Sequence, residues 1–589
     1  MQINLISCIN HLQLLFKPTK FPKIFGSFHT VFWLILSLAV PAYFCLISLH
    51  QAFSREYVVQ DDARQHVVWM QQFVDPQLFP DDLIAHYFQS VAPTGFKWLY
   101  RLMAEVGIEP VVLAKILPII LGLITSVYCF GACLQIFPVP AGAFLATLIL
   151  NQSIWLKDDV ISATPRAFLY PLFAAFLYYL LKRSLFPCLV AIALQGLFYP
   201  QLLLVEFGIL TVRLFRWQRK LPRFSQTRSD YIFWATGLVV TLLVMLPYAL
   251  ATSEYGPVVT AAQMKVMPEF AAEGRSKYFV PNPIEFWMKG DSGISLPIYP
   301  QIIWLSLLFP VLLKTKLPLS RFISKEIKVL FQTVLASFGL FFLAHRLLLR
   351  LHFPNRYTSH SLRFVMALAA GISLTLLLDV GIGWLSKKLQ TNTRLKTKQK
   401  LVLGFVTILG AAALIVPAIP GIFLSSQFWI SGRTPELYQF FSQQPKDVLI
   451  ASLANEVNNL PAFSQRSVLV GREFGFAYHT GYYNKFRQRV IDLMRAQYSP
   501  TVSDLQSFIQ KYGVDFFLLE QEAFRPNYIT ENKWLMQFEP AASEAIAHLR
   551  QHETPALAKL VDQCSSLKVD NFIVVEADCI VRVQLPRTG

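Results

Sequence analysis

A series of long apolar runs limits what this chain can fold into. A helix needs about 20 apolar residues to cross a hydrocarbon layer of about 30 Å. About eleven runs approach or reach that length, near residues 30–50, 111–136, 140–156, 167–181, 185–199, 201–215, 231–251, 301–313, 329–345, 363–385 and 401–423. The sequence therefore predicts a multi-pass α-helical membrane protein with about eleven spans.

The composition agrees with this prediction. The 589 residues are 54% hydrophobic and only 15% charged, whereas about a quarter of the residues of a typical soluble protein are charged. The net charge of +17 would by itself also suit a nucleic-acid-binding protein. However, a basic membrane protein usually carries its lysines and arginines in cytoplasmic loops. Because the basic residues lie between the apolar runs, we do not expect nucleic acid as a partner.

The basic clusters follow every second run late in the chain. They come after the sixth, eighth and tenth runs, at residues 213–228, 314–328 and 387–400. The positive-inside rule assigns these loops to the cytoplasm, which places the N-terminus inside and the chain after residue 423 outside. The first run has no cleavable-signal pattern and is interpreted as a signal anchor. A proline at position 200 leaves open whether the fifth and sixth runs are two helices or one broken helix.

This topology divides the chain into two predicted domains. Residues 1–423 form a polytopic transmembrane domain, whose outer loops are residues 51–110, 157–166, 252–300 and 346–362. Residues 424–589 have the composition of a soluble domain and form a predicted extracytoplasmic α/β domain. In it we predict a helix at 502–512 and strands at 448–451, 468–471, 516–519, 572–575 and 580–583.

Two of the seven cysteines, Cys564 and Cys579, lie in this C-terminal domain. They flank a predicted hairpin in a compartment that is predicted to be oxidising. The spacing and the compartment favour a disulfide, and two buried thiols are the alternative.

The first outer loop begins with paired carboxylates. Asp61 and Asp62 are followed by His66, and a helix would place Asp62 and His66 on one face. The same pattern returns at residues 81–86. Carboxylate and imidazole at this spacing are common ligands of divalent metals. A divalent cation held by Asp62 and His66 is therefore one interpretation, and a solvated acidic loop is the other.

The second outer loop brings another acidic pair to the same predicted face. Asp158 and Asp159 directly follow a span, and Arg166 opens the next one. An ion pair between Arg166 and either carboxylate would be a purely structural explanation. Two acidic pairs that each begin just after a span instead favour a shared functional site.

The last two outer loops suggest what such a site would bind. Residues 346–362 are basic although they are predicted to be outside. Arg356 and His360 lie within this loop, and Arg363 directly follows it. Because arginine holds phosphate oxygens through two parallel hydrogen bonds, these residues predict a phosphate or diphosphate site, with lipid-headgroup anchoring as the alternative.

The long loop 252–300 is interpreted as a flap over the site.

The order of these features resembles the GT-C class of integral membrane glycosyltransferases, which use sugars linked to polyprenyl phosphate or diphosphate. The shared features are the two acidic pairs in successive outer loops, a long later loop, a basic stretch and a C-terminal outer domain. The resemblance implies that Asp61 or Asp62 acts as catalytic base or orients the acceptor. It implies that Asp158 and Asp159 help to orient the acceptor or a metal. The acids here are adjacent rather than D-x-D, and no W-W-D motif occurs, so transfer to asparagine is not implied.

The chemistry independently fits sugar transfer. Transfer from a phosphate-linked donor needs a carboxylate to take the acceptor's proton and cations to offset the departing phosphate. Asp62 would supply the first, and Arg356 and Arg363 the second. We predict a cell-membrane glycosyltransferase that moves a sugar from a polyprenyl-phosphate-linked donor to a lipid or polysaccharide acceptor. The alternatives are a transporter or flippase of a lipid-linked anion, for which only Glu206 lies deep in a span, and a noncatalytic envelope-assembly protein.

Overall fold

The computed structural model describes residues 14–19, 24, 26–218, 221–250, 254–390, 404, 410–411, 415 and 425–583. Within this part of the chain, the helices that are long and apolar enough to cross a membrane are Phe28–Ala52, Pro110–Ile136, Arg228–Leu250, Lys325–Arg346 and Asn355–Lys388. Shorter apolar helices are Pro165–Leu181, Leu185–Phe198 and Gln301–Leu312. The chain is thus a multi-pass helical membrane protein. The predicted run at 401–423 lies almost wholly outside the described residues.

The predicted run at 301–313 forms a short helix. A 3-10 helix at Gln301–Leu308 continues as an α-helix at Phe309–Leu312. With rises of about 2.0 and 1.5 Å per residue, this segment is about 22 Å long. It is therefore shorter than the hydrocarbon layer of about 30 Å.

The fifth and sixth runs form a hairpin of two helices, Leu185–Phe198 and Pro200–Arg213. Proline is tolerated at the first position of the second helix, where a backbone N–H would lack an intrahelical partner anyway. Arg183, just before the first helix, and Arg213, at the end of the second, both form ion pairs with Asp230. The start of the first helix and the end of the second therefore meet at the same aspartate. Because one broken helix would hold these two ends apart, that alternative is wrong.

Charged side chains gather at two opposite ends of the helices. At one end, which we call the basic end, residues from three predicted cytoplasmic loops form a network of ion pairs. Its members are Arg183, Arg213, Asp230 and Glu326, and the Arg213 Nη2 atom lies 2.6 Å from a Glu326 carboxylate oxygen. The loops predicted to share one face therefore do meet. The acidic pairs lie at the other end, which we call the site end.

Two helices that lead to the site end pack closely against each other. They are Pro140–Trp155 and Asn355–Gln390. A Cβ atom added to Gly371 would lie 2.5 Å from the Cα atom of Ala146, so only glycine allows the two backbones to approach this far. This contact fixes the second outer loop, which follows the first helix, relative to the basic residues that begin the second.

The C-terminal part contains a mixed five-stranded sheet covered by helices. The strand order is Ser467–Val468, Leu449–Ala451, Phe516–Glu520, Phe572–Glu576 and Ser565–Val569, with the first three parallel and the last two antiparallel to their neighbours. The helices include Pro435–Ser442, Thr480–Tyr498, Val502–Tyr512, Ala541–Arg550 and Ala556–Cys564. Gly513, with φ +65°, ends the third of these in the left-handed conformation.

The strand predicted at 580–583 is wrong. Residues Ala577–Arg582 form a helix, and Phe572–Glu576 pairs instead with the preceding strand, Ser565–Val569. The turn between these strands contains Asp570 with φ 49°, a conformation that aspartate and asparagine tolerate in tight hairpins. The Asp570-Asn571 pair is the local turn signal in the sequence.

A disulfide joins Cys564 to Cys579, as predicted, and closes this hairpin. We therefore expect that five thiols, which is the seven cysteines less the two in the disulfide, react with a maleimide in the denatured, unreduced protein. All seven should react after reduction. Mass spectrometry counts the labels, and the double variant Cys564→Ser/Cys579→Ser should give five under both conditions. Labelling of all seven before reduction would contradict the bond.

Candidate active site

A two-stranded ribbon positions the first acidic pair. Val58–Gln60 pairs antiparallel with Trp429–Ser431, which leads into the C-terminal part. Directly after the ribbon, the backbone N–H of Asp61 donates to the carbonyl oxygen of Phe428 over 3.0 Å. The short helix Ala63–His66 follows. The ribbon thus fixes the start of the first outer loop against a segment more than half the chain away.

Arg166 joins the acidic pairs of the first two outer loops. Its Nη2 atom donates to Oδ2 of Asp62 and, over 2.7 Å, to Oδ2 of Asp158. The side chains of Asp62 and Asp158 are 27% and 25% exposed. Among the described residues, no donor contacts the second carboxylate oxygen of Asp62. The two acidic pairs therefore meet at one guanidinium group, and Asp62 keeps an oxygen for another partner.

A fully buried layer lies beside these exposed carboxylates. Asp159 is 0% exposed and forms an ion pair with Arg363, and it accepts a hydrogen bond of 2.8 Å from the Tyr170 hydroxyl. The Lys157 Nζ atom lies 3.9 Å from its other oxygen. Burial alone would raise the pKa of Asp159, but the positive charges of Lys157 and Arg363 outweigh it and hold that pKa well below its usual range. Asp159 is therefore an ionised anchor that substrate cannot reach.

Arg356, His360 and Arg363 lie on one face of the helix Asn355–Gln390, as their spacing requires. They differ in what they contact. Arg363 is engaged by Asp159, and the Nδ1 atom of His360 lies 3.1 Å from the Tyr170 hydroxyl. The half-buried side chain of Arg356 forms no hydrogen bond or ion pair with the described residues, and its Nε atom is buried. Among the described residues, Arg356 is therefore the predicted phosphate ligand whose guanidinium has no protein partner and is available to bind an anion.

Three arginines act on the imidazole of His66. Burial, followed by the positive charges of Arg166, Arg275 and Arg356, lowers the pKa of His66 to about 4. The ring packs edge-on against Phe88, with centroids 5.8 Å apart. His66 is thus neutral at physiological pH. The positive charges of Arg166 and Arg356 thus both act on this one side chain.

Arg64 connects the first outer loop to the C-terminal part. Its guanidinium pairs with Asp61, donates to Asn459 Oδ1 over 2.9 Å and lies 3.4 Å from Glu473. Burial raises the pKa of Asp61; Arg64 opposes this effect, whereas the negative charge of Glu473 adds to it. Glu473, a charged residue that follows the predicted strand at 468–471, therefore belongs to the site.

The loop predicted as a flap packs between the C-terminal part and the site. Arg275 donates to a carboxylate oxygen of Glu473 over 2.8 Å. The backbone N–H of Val259 donates to the Tyr478 carbonyl over 2.9 Å. The side chain of Asn355, at the start of the long helix, donates to Asp291 over 3.0 Å. The loop is irregular, as predicted, and these contacts fix it over the site end.

The second copy of the acidic motif has a capping role. Asp82 begins the helix Leu83–Val91 and accepts hydrogen bonds from the N–H groups of Ile84 and Ala85 over 2.7 and 3.0 Å. Asp81 is exposed. The two copies of the same pattern therefore do different things, and only the first lies at Arg166.

The carboxylates at Arg166 do not fit a divalent cation. Among the residues that the structure describes, no group of three or more His, Cys, Asp or Glu side chains is arranged to hold a metal. Of the predicted ligands, Asp62 is engaged by Arg166 and His66 by an aromatic contact. Hard cations such as Mg²⁺ and Ca²⁺ bind through carboxylate, carbonyl and water oxygens, and here one oxygen of Asp62 and one of Asp158 already accept hydrogen bonds from Arg166.

Comparison with known proteins gives a match to structures only. No family model and no curated protein matches the chain. It is similar to the oligosaccharyltransferase of Archaeoglobus fulgidus tethered to an acceptor peptide, at 13% identity and TM-score 0.47, covering 86% of this chain and 72% of that one. Other matching oligosaccharyltransferase structures from that organism contain an inhibitory peptide and a dolichol-phosphate, or zinc and sulfate.

Two further solved structures match. ArnT from Cupriavidus metallidurans in the apo state is 14% identical with a TM-score of 0.48, covering 94% of this chain and 99% of that one. The mycobacterial arabinofuranosyltransferase AftD is 11% identical with a TM-score of 0.46, covering 82% of this chain and 36% of that one. The structural neighbours are GT-C glycosyltransferases, the class that the sequence resembles.

Proposed function

We propose that this protein is a membrane glycosyltransferase of the cell membrane that moves a sugar from a polyprenyl-phosphate-linked donor to a hydroxyl group of a lipid or polysaccharide acceptor. One observation carries the proposal. The site end carries a partly exposed carboxylate, Asp62, which Arg166 contacts, and a guanidinium group without a protein partner among the described residues, Arg356; the charges of Arg166 and Arg356 both act on His66. A base and an anion-binding cation are the two groups that transfer from a phosphate-linked donor requires.

The proposed reaction is a displacement at the anomeric carbon of the donor. The free carboxylate oxygen of Asp62 accepts the proton of the acceptor hydroxyl as its oxygen bonds to the anomeric carbon. The bond between that carbon and the phosphate oxygen breaks, and the electron pair leaves with the phosphate. Arg356 stabilises the negative charge that develops there. Arg166, bound to the other Asp62 oxygen, keeps the base oriented.

The remaining predicted site residues have supporting roles in this proposal. Asp158 fixes Arg166 from the second side. Asp159 holds Arg363 and Tyr170 and thereby positions the helix that carries Arg356. Asp61, next to Glu473, lies on the side of Asp62 that faces the C-terminal part, which is where an extended acceptor would approach.

The gathering of charges at the site end favours transfer over transport. Transporters place their charged sites near the membrane midplane. Deep in the helices, the carboxylate oxygens of Glu206 form no hydrogen bond with the described residues.

Mass spectrometry of lipids that copurify with the full-length protein should detect a polyprenyl phosphate. If the protein carries only bulk phospholipids, the donor class proposed here is wrong.

Replacement of Arg356 by alanine is expected to lower kcat/KM for the lipid-linked donor by about 10- to 100-fold, because hydrogen bonds to charged groups contribute about 1.5–3 kcal/mol. The measurement is the initial rate of transfer in proteoliposomes at several donor concentrations. Arg350, exposed in the same basic loop, provides the matched control, and Arg350→Ala should leave the rate unchanged. Equal losses in both variants would instead support anchoring by lipid headgroups.

A further inference from the structure

One guanidinium group faces three carboxylates that come from two loops. The Nη2 atom of Arg166 contacts Asp62 and Asp158, and its Nε atom lies 3.6 Å from Asp159. The arginine side chain is 18% exposed. A guanidinium offers five N–H donors in a planar fork and stays protonated in proteins. It can therefore hold several carboxylates at once as a permanent positive charge.

The charges around Arg166 are already balanced. The three carboxylates are matched by three cations, Lys157, Arg166 and Arg363, each within 4 Å of at least one of them. A divalent ion placed between the first two carboxylates would add two positive charges beside the arginine. It would also compete for the oxygen atoms that the Nη2 atom now contacts. The geometry thus leaves no excess negative charge to attract such an ion.

We propose that Arg166 takes the place of a divalent cation in this site. It holds the carboxylates of Asp62 and Asp158 together and supplies the positive charge between the two loops, so transfer requires no divalent metal. Arg166 is a positioning residue for the base Asp62. The activity measurement of this inference rests on the proposed function, whereas the binding measurement is independent of it.

Removal of the guanidinium tests the idea through a gain of metal binding. In Arg166→Ala, the partly exposed carboxylates of Asp62 and Asp158 lose their shared cation and remain close together. Two neighbouring carboxylates without a counter-charge attract a hard divalent cation. We therefore expect the variant to bind Mn²⁺ where the original protein does not.

The binding experiment uses the full-length protein in detergent after treatment with EDTA. Free Mn²⁺ is measured by electron paramagnetic resonance during titration. We expect no bound Mn²⁺ in the original protein below about 1 mM, the weak end of protein sites for hard cations, and one ion per chain in Arg166→Ala. The variant Arg166→Ala/Asp158→Asn should lose this ion. Tight binding of one Mn²⁺ by the original protein overturns the inference whether or not the variants fold. Absence of binding by an Arg166→Ala protein that elutes and melts as a folded protein also overturns it.

The activity experiment compares transfer in EDTA and in Mn²⁺. The original protein should keep its rate in EDTA. Arg166→Ala should lose about 100-fold, the typical cost of a base displaced by about 1 Å, and regain part of the rate in Mn²⁺. Arg166→Lys should keep more of the rate without metal. Dependence of the original protein on Mn²⁺ would overturn the inference. A protein that transfers no sugar under any condition would contradict the proposed function, and the Mn²⁺ titration would still decide the role of Arg166.

Discussion

Replacement of Asp62 by asparagine is expected to lower the rate of sugar transfer by about 100- to 10,000-fold, the usual contribution of a general base. The amide has nearly the same size and its oxygen can still accept the hydrogen bond from Arg166. It cannot take the proton of the acceptor hydroxyl. The loss should therefore appear in kcat with little change in the affinity for the donor. Initial rates in proteoliposomes, normalised to protein content, measure it.

The second copy of the acidic motif supplies a matched control. Asp81 has the same sequence context as Asp61 but is exposed and forms no ion pair with Arg166, so Asp81→Asn should retain the full rate. Asp61→Asn should reduce the rate less than Asp62→Asn does, because Asp61 pairs with Arg64 instead of Arg166. Full activity of Asp62→Asn would exclude this residue as the base.

Replacement of Asp159 by alanine is expected to have the largest effect on stability, about 3–5 kcal/mol, which is the usual loss when one member of a buried ion pair is removed. Arg363, 4% exposed, would keep its charge without a counter-ion, and the Tyr170 hydroxyl would lose its carboxylate acceptor. The measurement is thermal unfolding in detergent, in which the fraction of folded variant at each temperature is compared with that of the original protein.

A surface ion pair and a double variant make this measurement specific. Arg495 and Glu544 are paired in the C-terminal part with about half of each side chain exposed, so Glu544→Ala should cost at most about 1 kcal/mol. Asp159→Ala/Arg363→Met should recover part of the lost stability, because an apolar pair can replace a buried ion pair. Equal losses from Asp159→Ala and Glu544→Ala would show that Asp159 is not a buried anchor.

Much of the helical architecture could be predicted because long apolar runs such as these are stable only as helices in the hydrocarbon layer of a membrane. The meeting of the first two acidic pairs also followed from topology, since each pair comes directly after a span on the same predicted face. The hairpin at residues 185–213 could not be decided from proline alone. Its decisive contact, two arginines on Asp230, joins residues that only the tertiary structure brings together.

The division of roles within the site was less accessible to sequence analysis. Arg363 was predicted as a phosphate ligand from its residue type, but the structure engages it with Asp159, 204 residues away. Glu473 approaches Arg64 and Gln65 across about four hundred residues, and no local pattern marks such a contact. Tyr170 had a usable signal, because a buried tyrosine in an apolar run usually needs a hydrogen-bond partner for its hydroxyl.

The ribbon between Val58–Gln60 and Trp429–Ser431 has a consequence for biosynthesis. Its second strand is made after roughly 370 further residues, which takes about 20–75 s at a translation rate of about 5–20 residues per second. Until then, the carboxylates after the first strand have neither the ribbon nor the C-terminal partners of Arg64 to orient them. Under the proposed function, a nascent chain that has not yet reached these partners, the last of which is Glu473, would therefore transfer no sugar.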